Sequence, residues 1–110
     1  MHDLHTAVRN SRADLEAVVA ASVQAGVKQT SRHVLNARQL LHSLTVLETE
    51  CDQGTPRRRA WSFGQASVPV LSSTLNGISK QAKVPLSEID RCRASLAQLA
   101  HALNTFAEGR

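Results

Sequence analysis

Residues 87–109 have the sequence SEIDRCRASLAQLAHALNTFAEG, which predicts a long amphipathic helix. Apolar residues recur in it three and four positions apart, and this spacing places them on one face of an α-helix. Ser87 suits the start as an N-cap, and Gly109 suits the end. About 20 helical residues span about 30 Å, so other parts of the chain must pack against the apolar stripe along that whole length. The stripe comprises Ile89, Cys92, Leu96, Leu99, Leu103 and Phe106.

The 110-residue chain is predicted to be one all-α domain, a bundle of about four helices. We expect the helices at about residues 3–25, 31–51, 67–82 and 87–107. Gly26 is interpreted as the C-cap of the first helix, with Thr30 or Ser31 as the next N-cap. The alternative is one long helix from about residue 3 to 51, kinked at Gly26. The second and final helices are expected to form the core.

The predicted second helix has two apolar faces. Its broad face includes Leu40, Leu44 and Leu47, whereas Leu35 and Val46 point nearly the opposite way. Two apolar faces on one helix imply either a central position in the bundle or a second partner. We therefore expect the chain to self-associate as a homodimer through this helix. In the rival interpretation the third helix covers Leu35 and Val46 within a monomer.

The segment DQGTPRRRAWSFGQA, residues 52–66, is predicted to be a basic and aromatic loop, since Gly and Pro interrupt its helical pattern. It combines arginine with aromatic residues, a composition typical of interface anchors. In the alternative interpretation, the Trp61 side chain only packs against the end of the bundle. The candidate partner-binding residues of this loop are Arg57, Arg58, Arg59, Trp61 and Phe63.

The basic charge of the chain is local. Residues 53–85 hold five Lys or Arg and no Asp or Glu. The net charge of this segment, +5, exceeds the net charge of +4 of the whole chain. The arginine triplet at 57–59 could bind a partner with an acidic surface. It could equally offset Glu48, Glu50 and Asp52, which crowd the end of the second helix, where negative charge is unfavourable.

Residues 75–92 resemble the helix-turn-helix of bacterial repressors. Ile78, Ala82, Val84 and Ile89 fall where that motif has its packing residues. The resemblance implies a DNA-binding regulator that uses residues 68–94. Lys83 departs from the pattern, because it occupies the turn position usually held by glycine. The residues expected to contact DNA in this alternative are Lys80, Lys83, Ser87 and Arg91.

The sequence contains only weak indications of a catalytic, cofactor-binding or metal-binding site. We find no nucleophile with a base at a usable spacing and no glycine-rich phosphate loop, so we expect neither an enzyme nor a cofactor. His2 and His5 are too few ligands to predict a metal site. Cys51 and Cys92 fall on apolar faces and are expected to be reduced thiols. No signal peptide or membrane span is evident, so we expect a cytoplasmic protein.

The sequence predicts a fold class and contact surfaces but no specific activity. The favoured interpretation is a small bacterial-type protein–protein interaction module, such as an adaptor, chaperone or accessory protein. Self-association and an acidic protein partner are both compatible with it, and no membrane association is expected. The alternative is the DNA-binding regulator.

Overall fold

Four α-helices make up most of the chain in the computed structural model, which describes residues 4–28, 31–54, 58–81 and 86–108. They are α1 (Leu4–Gln24), α2 (Arg32–Asp52), α3 (Arg58–Gln81) and α4 (Leu86–Glu108). No strand occurs among these described residues. The predicted all-α fold with about four helices is confirmed.

The helices lie side by side along the long axis of the molecule. The molecule measures 43 × 23 × 20 Å, and helices of 21 to 24 residues are each more than about 30 Å long. They therefore fit only along the longest dimension. Contacts join α1 to α2, α2 to α3, α3 to α4, and α4 back to α1. This is a closed four-helix bundle in which each helix has two principal neighbours.

Helix α1 ends at a left-handed glycine, as the sequence predicted. Gly26 has a φ of +92°, a conformation that glycine adopts without the steric penalty of a Cβ atom. The N–H of Gly26 donates to the carbonyl of Val23, and the N–H of Val27 donates to that of Ser22. This pair of hydrogen bonds is the Schellman motif. The alternative of one kinked helix over residues 3–51 is therefore wrong, and α2 is a separate helix preceded by Ser31 as N-cap.

The prediction that residues 52–66 form a loop is wrong for most of the segment. Helix α3 begins at Arg58, nine residues before the predicted start at Ser67, and it continues through Gly64 and Pro69. Pro69 therefore lies in the helix interior rather than in its first turn. Because proline has no N–H, the carbonyl of Gln65 lacks its usual helical partner. The turn signals at Gly64 and Pro69 therefore do not interrupt the helix.

The beginning of α4 also differs from the prediction. The helix starts at Leu86, so Ser87 is its second residue rather than its N-cap. The apolar stripe is otherwise as predicted, because Ile89, Cys92, Leu96, Leu99 and Leu103 are all buried. The side chain of Phe106 lies outside the described part of the structure.

The core is aliphatic and draws on all four helices. The second and final helices do not form it alone, since they occupy diagonal positions in the ring with α1 and α3 between them. No aromatic side chain is among the buried hydrophobic residues in the described part of the chain. The largest fully buried side chains are Leu15, Leu44, Leu47, Leu71, Leu75, Ile78, Ile89, Leu99 and Leu103, with Val8, Val18 and Val34.

Replacement of Leu99 by alanine tests the α4 stripe. Leu99 is almost wholly buried, so Leu99→Ala should lower the free energy of unfolding by about 2–5 kcal/mol, measured by urea denaturation. Gln98→Ala, on the adjacent exposed position, is the matched control and should change it by less than about 0.5 kcal/mol. A loss below about 1 kcal/mol for Leu99→Ala would contradict burial of the stripe.

Candidate interaction surface

Helix α2 carries an apolar stripe on the side that faces away from the core. Leu35 and Val46 are 50% and 44% exposed. They are eleven residues apart, which is three helical turns, so they share one face of the helix about 16 Å apart. The rival prediction that α3 covers both side chains is therefore wrong. These two residues are the sequence-predicted candidates that the structure leaves at the surface.

Helix α3 adds a third exposed aliphatic residue beside this stripe. Val70 is 49% exposed and lies with Leu35 along a groove of about 680 Å³ between the two helices. We call this feature the α2–α3 groove. Its lining residues are Leu35, Asn36, Arg38, Gln39, Leu40, His42, Ser43, Ser67 and Val70. A second depression of about 490 Å³ shares Asn36 and Val70 with it.

The second depression ends near a close approach of the two helices. His33 lies on α2 opposite Gly77 of α3. A Cβ atom added to Gly77 would lie within 2.3 to 2.7 Å of the His33 ring atoms. The glycine therefore leaves room for the imidazole to lie against α3. His33 and Arg32 line this depression, so its end is basic.

Two arginines and two histidines border the groove and the adjoining depression. Arg38 and His42 line the α2–α3 groove, and Arg32 and His33 line the adjoining depression. None of the described residues that line either one is acidic. The aliphatic floor is therefore bordered by cationic and polar groups. Of these residues the sequence analysis singled out only Leu35, because the grouping depends on which helix packs beside α2.

The acidic end of α2 is neutralised from α1. Glu48 accepts a hydrogen bond from Arg12 and lies 3.9 Å from Arg9, and Asp52 pairs with His5. Hydrogen bonding to Glu48 raises the pKa of Arg12 above its ordinary value. Two of the three carboxylates assigned to the arginine triplet therefore have partners on α1. These pairs also hold α1 and α2 together at one end of the bundle.

Helix α3 begins inside the segment that was predicted to be a basic and aromatic loop. Arg58, Arg59, Trp61 and Phe63 belong to the first turns of α3, and their side chains lie outside the described part of the structure. Arg57 lies outside the described residues altogether. The prediction that they form a binding surface stays a prediction.

The candidate DNA-contacting residues lie near the connection between α3 and α4. Lys80, Ser87 and Arg91 are exposed, and Lys83 falls outside the described residues. The two helices here are long neighbours that run along the bundle axis. In a helix-turn-helix the second helix instead crosses the first at about 90–120°. The arrangement of α3 and α4 therefore differs from that of the helix-turn-helix that residues 75–92 resemble.

The described residues contain neither a cluster of metal-ligand side chains nor a helix that could span a membrane. No group of three or more His, Cys, Asp or Glu among them could hold a metal ion. Nor does any described helix combine the length and apolar character that crossing a membrane requires. Glu48 and Asp52, a carboxylate pair one helical turn apart, are already engaged by Arg12 and His5.

A small polar cluster lies between α1 and α4. Ser11 Oγ donates to the carbonyl of Ser95 at 3.1 Å, and Ser95 Oγ donates to Asp14. Cys92 lies on the same side of α4 and is buried. Burial, with a smaller contribution from the Asp14 charge, raises the pKa of the Cys92 thiol to about 12. A thiol with this pKa is protonated and unreactive at neutral pH.

Comparisons with known proteins give no match. No protein-family model matches the chain, and neither the curated proteins nor the solved structures include a significant match. The functional argument therefore rests on the surface described above.

The reactivity of Cys92 tests its environment. Neither Cys51 nor Cys92 forms a disulfide, so a Cys51→Ser variant has Cys92 as its single thiol. We expect an aromatic disulfide reagent at pH 8 to modify no thiol in the folded variant and one in denaturant. A Cys92→Ser variant, which retains the less buried Cys51, is the control. Rapid labelling of folded Cys51→Ser would contradict the burial of Cys92.

The same pKa predicts a pH dependence of stability. The unfolded thiol ionises above about pH 8.5, whereas the folded thiol keeps its proton up to about pH 12. Raising the pH through this interval therefore favours unfolding. Cys92→Ala should reduce that dependence relative to the wild type.

Proposed function

We propose that this chain is a small cytoplasmic protein–protein interaction module, of the adaptor, chaperone or accessory class. Its binding surface is the α2–α3 groove together with the exposed stripe of α2. The observation that supports this most directly is the distribution of exposed aliphatic residues. Of the four large hydrophobic residues exposed in the described part of the chain, Leu35, Val46 and Val70 lie on α2 and α3. Exposed aliphatic residues grouped beside a groove are typical of interaction surfaces.

In a second form of this function, the chain binds a second copy of itself through α2. Leu35 and Val46 lie on the same face of α2, so a second copy could cover both. In a symmetric dimer we expect the arginine triplet of one copy to meet Glu48, Glu50 and Asp52 of the other, but Glu48 and Asp52 are engaged by Arg12 and His5 within the chain. A dimer through this face would therefore depend on its apolar contacts.

Site-specific crosslinking tests the interaction module. A photoreactive phenylalanine analogue at position 35 or 46, in protein produced in its native host, should give discrete adducts with another protein. The same analogue at exposed Gln98 of α4 is the control and should give none or far fewer. The mass of each adduct identifies a second copy, which adds 11.9 kDa, or a different protein.

Absence of adducts at positions 35 and 46 would contradict the proposed function. A DNA-binding role is tested in parallel by titrating the protein with random duplex DNA at increasing salt. Phosphate contacts give an affinity that falls steeply with salt concentration. Such binding without protein adducts would favour the DNA-binding alternative.

Light scattering tests the dimer. If α2 pairs between copies, the wild type should have twice the 11.9 kDa mass of one chain. Leu35→Glu combined with Val46→Glu should then give monomers, because each buried carboxylate would oppose association. Leu86→Glu, at a residue of α4 that is 69% exposed, is the control. A monomeric wild type at every concentration would show that the dimer is wrong, and a dimer that survives the double change would use another face.

A further inference from the structure

We infer that the exposed side of α2 and α3, here called the α2–α3 face, binds the same face of a second copy of this chain. The two α2 helices run antiparallel in the dimer, with Leu35 of each copy against Val46 of the other. This inference rests on the proposed function, because it names the partner and the geometry of the same surface.

The α2–α3 face has few charged residues, counting Lys, Arg, Asp and Glu. The described side chains of α3 that are exposed between Gln65 and Asn76 are all uncharged. Those of α2 that are exposed between Leu35 and Thr49 include one charge, that of Arg38. Depletion of charge is the compositional mark of the central part of a protein–protein interface. The large aliphatic residues exposed on this face are Leu35, Val46 and Val70.

The hydroxyl groups of α2 already have hydrogen-bond acceptors within the helix. Ser43, Thr45 and Thr49 each donate to the carbonyl four residues earlier, at distances of 2.8 to 3.2 Å. A hydroxyl proton that is bonded in this way loses no partner when another helix covers it. Covering this side of α2 therefore leaves none of these three donors unsatisfied.

Two pairs of residues on α2 share one midpoint. Leu35 and Val46 are eleven residues apart, which is about three turns, and their midpoint lies at residues 40–41. Arg32 and Glu50 are eighteen residues apart, which is five turns, so they also share a face, and their midpoint lies at the same level. A two-fold axis at this level therefore brings Leu35 against Val46 and Arg32 towards Glu50, each pair twice.

The charges of α2 select the antiparallel arrangement. In a parallel pair, Arg32 would meet Arg32 of the other copy and Glu50 would meet Glu50, and like charges oppose association. In the antiparallel pair each Arg32 meets a carboxylate, and the positive end of each helix lies beside the negative end of the other. Glu50 and Arg38 both have interactions within their own chain. Glu50 can accept from a second donor, and Arg38 lies opposite the uncharged Ser43 of the other copy.

Helix α3 lies in the same interface. Ser67 and Val70 line the groove beside residues 35–43 of α2, so they lie close to the level of the two-fold axis. The two copies of Val70 therefore approach each other near the axis, between the two contacts of Leu35 with Val46. One side of the bundle, 43 × 20 Å, offers about the 800 Å² per partner that a stable dimer buries.

Engineered disulfides test the antiparallel register. Leu35→Cys, Val46→Cys and an equimolar mixture of the two are oxidised in a Cys51→Ser background, in which the remaining Cys92 is buried. We expect disulfide-linked dimers in the mixture and few or none in either variant alone. A disulfide requires Cα atoms within about 7 Å, and the two copies of position 35 are about 16 Å apart along the antiparallel helices. The Cys51→Ser parent is the control and should give no linked dimer.

Salt tests the pairing of Arg32 with Glu50. Arg32→Glu places like charges opposite each other, so it should raise the dissociation constant of the dimer by about tenfold at low salt. Added salt should then strengthen the dimer of this variant, whereas it should weaken that of the wild type. An acid in the first turn of α2 is favourable for the helix itself, so the variant should remain folded by circular dichroism.

Arg91→Glu is the matched control for this charge change. Arg91 is exposed on α4, outside the α2–α3 face, so its reversal should change the dissociation constant by less than about twofold. Equal effects of the two reversals would contradict the pairing of Arg32 with Glu50. Sedimentation equilibrium measures the dissociation constant of each variant.

Three further outcomes would overturn the inference. They are a wild type that is monomeric at every accessible concentration, disulfides in Leu35→Cys alone as abundant as in the mixture, and a dimer whose mixture forms no disulfide. The second outcome would indicate parallel pairing, and the third would indicate another face. Any of them combined with adducts of a different protein at position 35 or 46 would leave the interaction module intact and refute only the self-pairing. Absence of both dimer and adducts would refute the proposed function as well.

Discussion

Closure of the bundle depends on the contact between its first and last helices. Hairpin connections alone would join α1 to α2, α2 to α3 and α3 to α4 as an open row. Where the ring closes, Ser11 of α1 donates a buried hydrogen bond to the backbone carbonyl of Ser95 on α4. A short side chain can reach a carbonyl of another helix only where the two helices lie close together. Ser11, Ser95 and Ala7 are small and buried at or beside this contact, and larger residues there would push the helices apart.

The properties of single helices could be predicted from the sequence because they depend on local patterns. The stripe of α4 has the period of a helix and its described residues are buried as expected, and Gly26 adopts the left-handed conformation of a helix end. The start of α3 could not be predicted in the same way. Gly64 and Pro69 weaken a helix locally, yet α3 runs through both residues. Its start at Arg58 is therefore earlier than the turn signals of the sequence predict.

The residues of the candidate site could be predicted only in part, because the site depends on how two helices pack. Leu35 and Val46 stand out in the sequence, because they lie opposite a broad apolar face. Val70 does not stand out in the sequence, since it is adjacent to buried Leu71. It becomes part of the groove only because α3 lies beside α2. The close approach of His33 to Gly77 is likewise a property of the pair of helices. A groove belongs to two elements, so its lining cannot be identified from the pattern of either one.

Helix α2 separates its charges by side and by end. Its acidic end faces α1, where Arg12 and His5 satisfy Glu48 and Asp52. Its first half presents Arg32, Arg38 and His42 along the groove with α3. The pairs with α1 thus join the two helices at the acidic end of α2. Because the acidic end and the groove lie on different sides of one helix, the sequence of α2 alone shows both charge signs but not which neighbour each one faces.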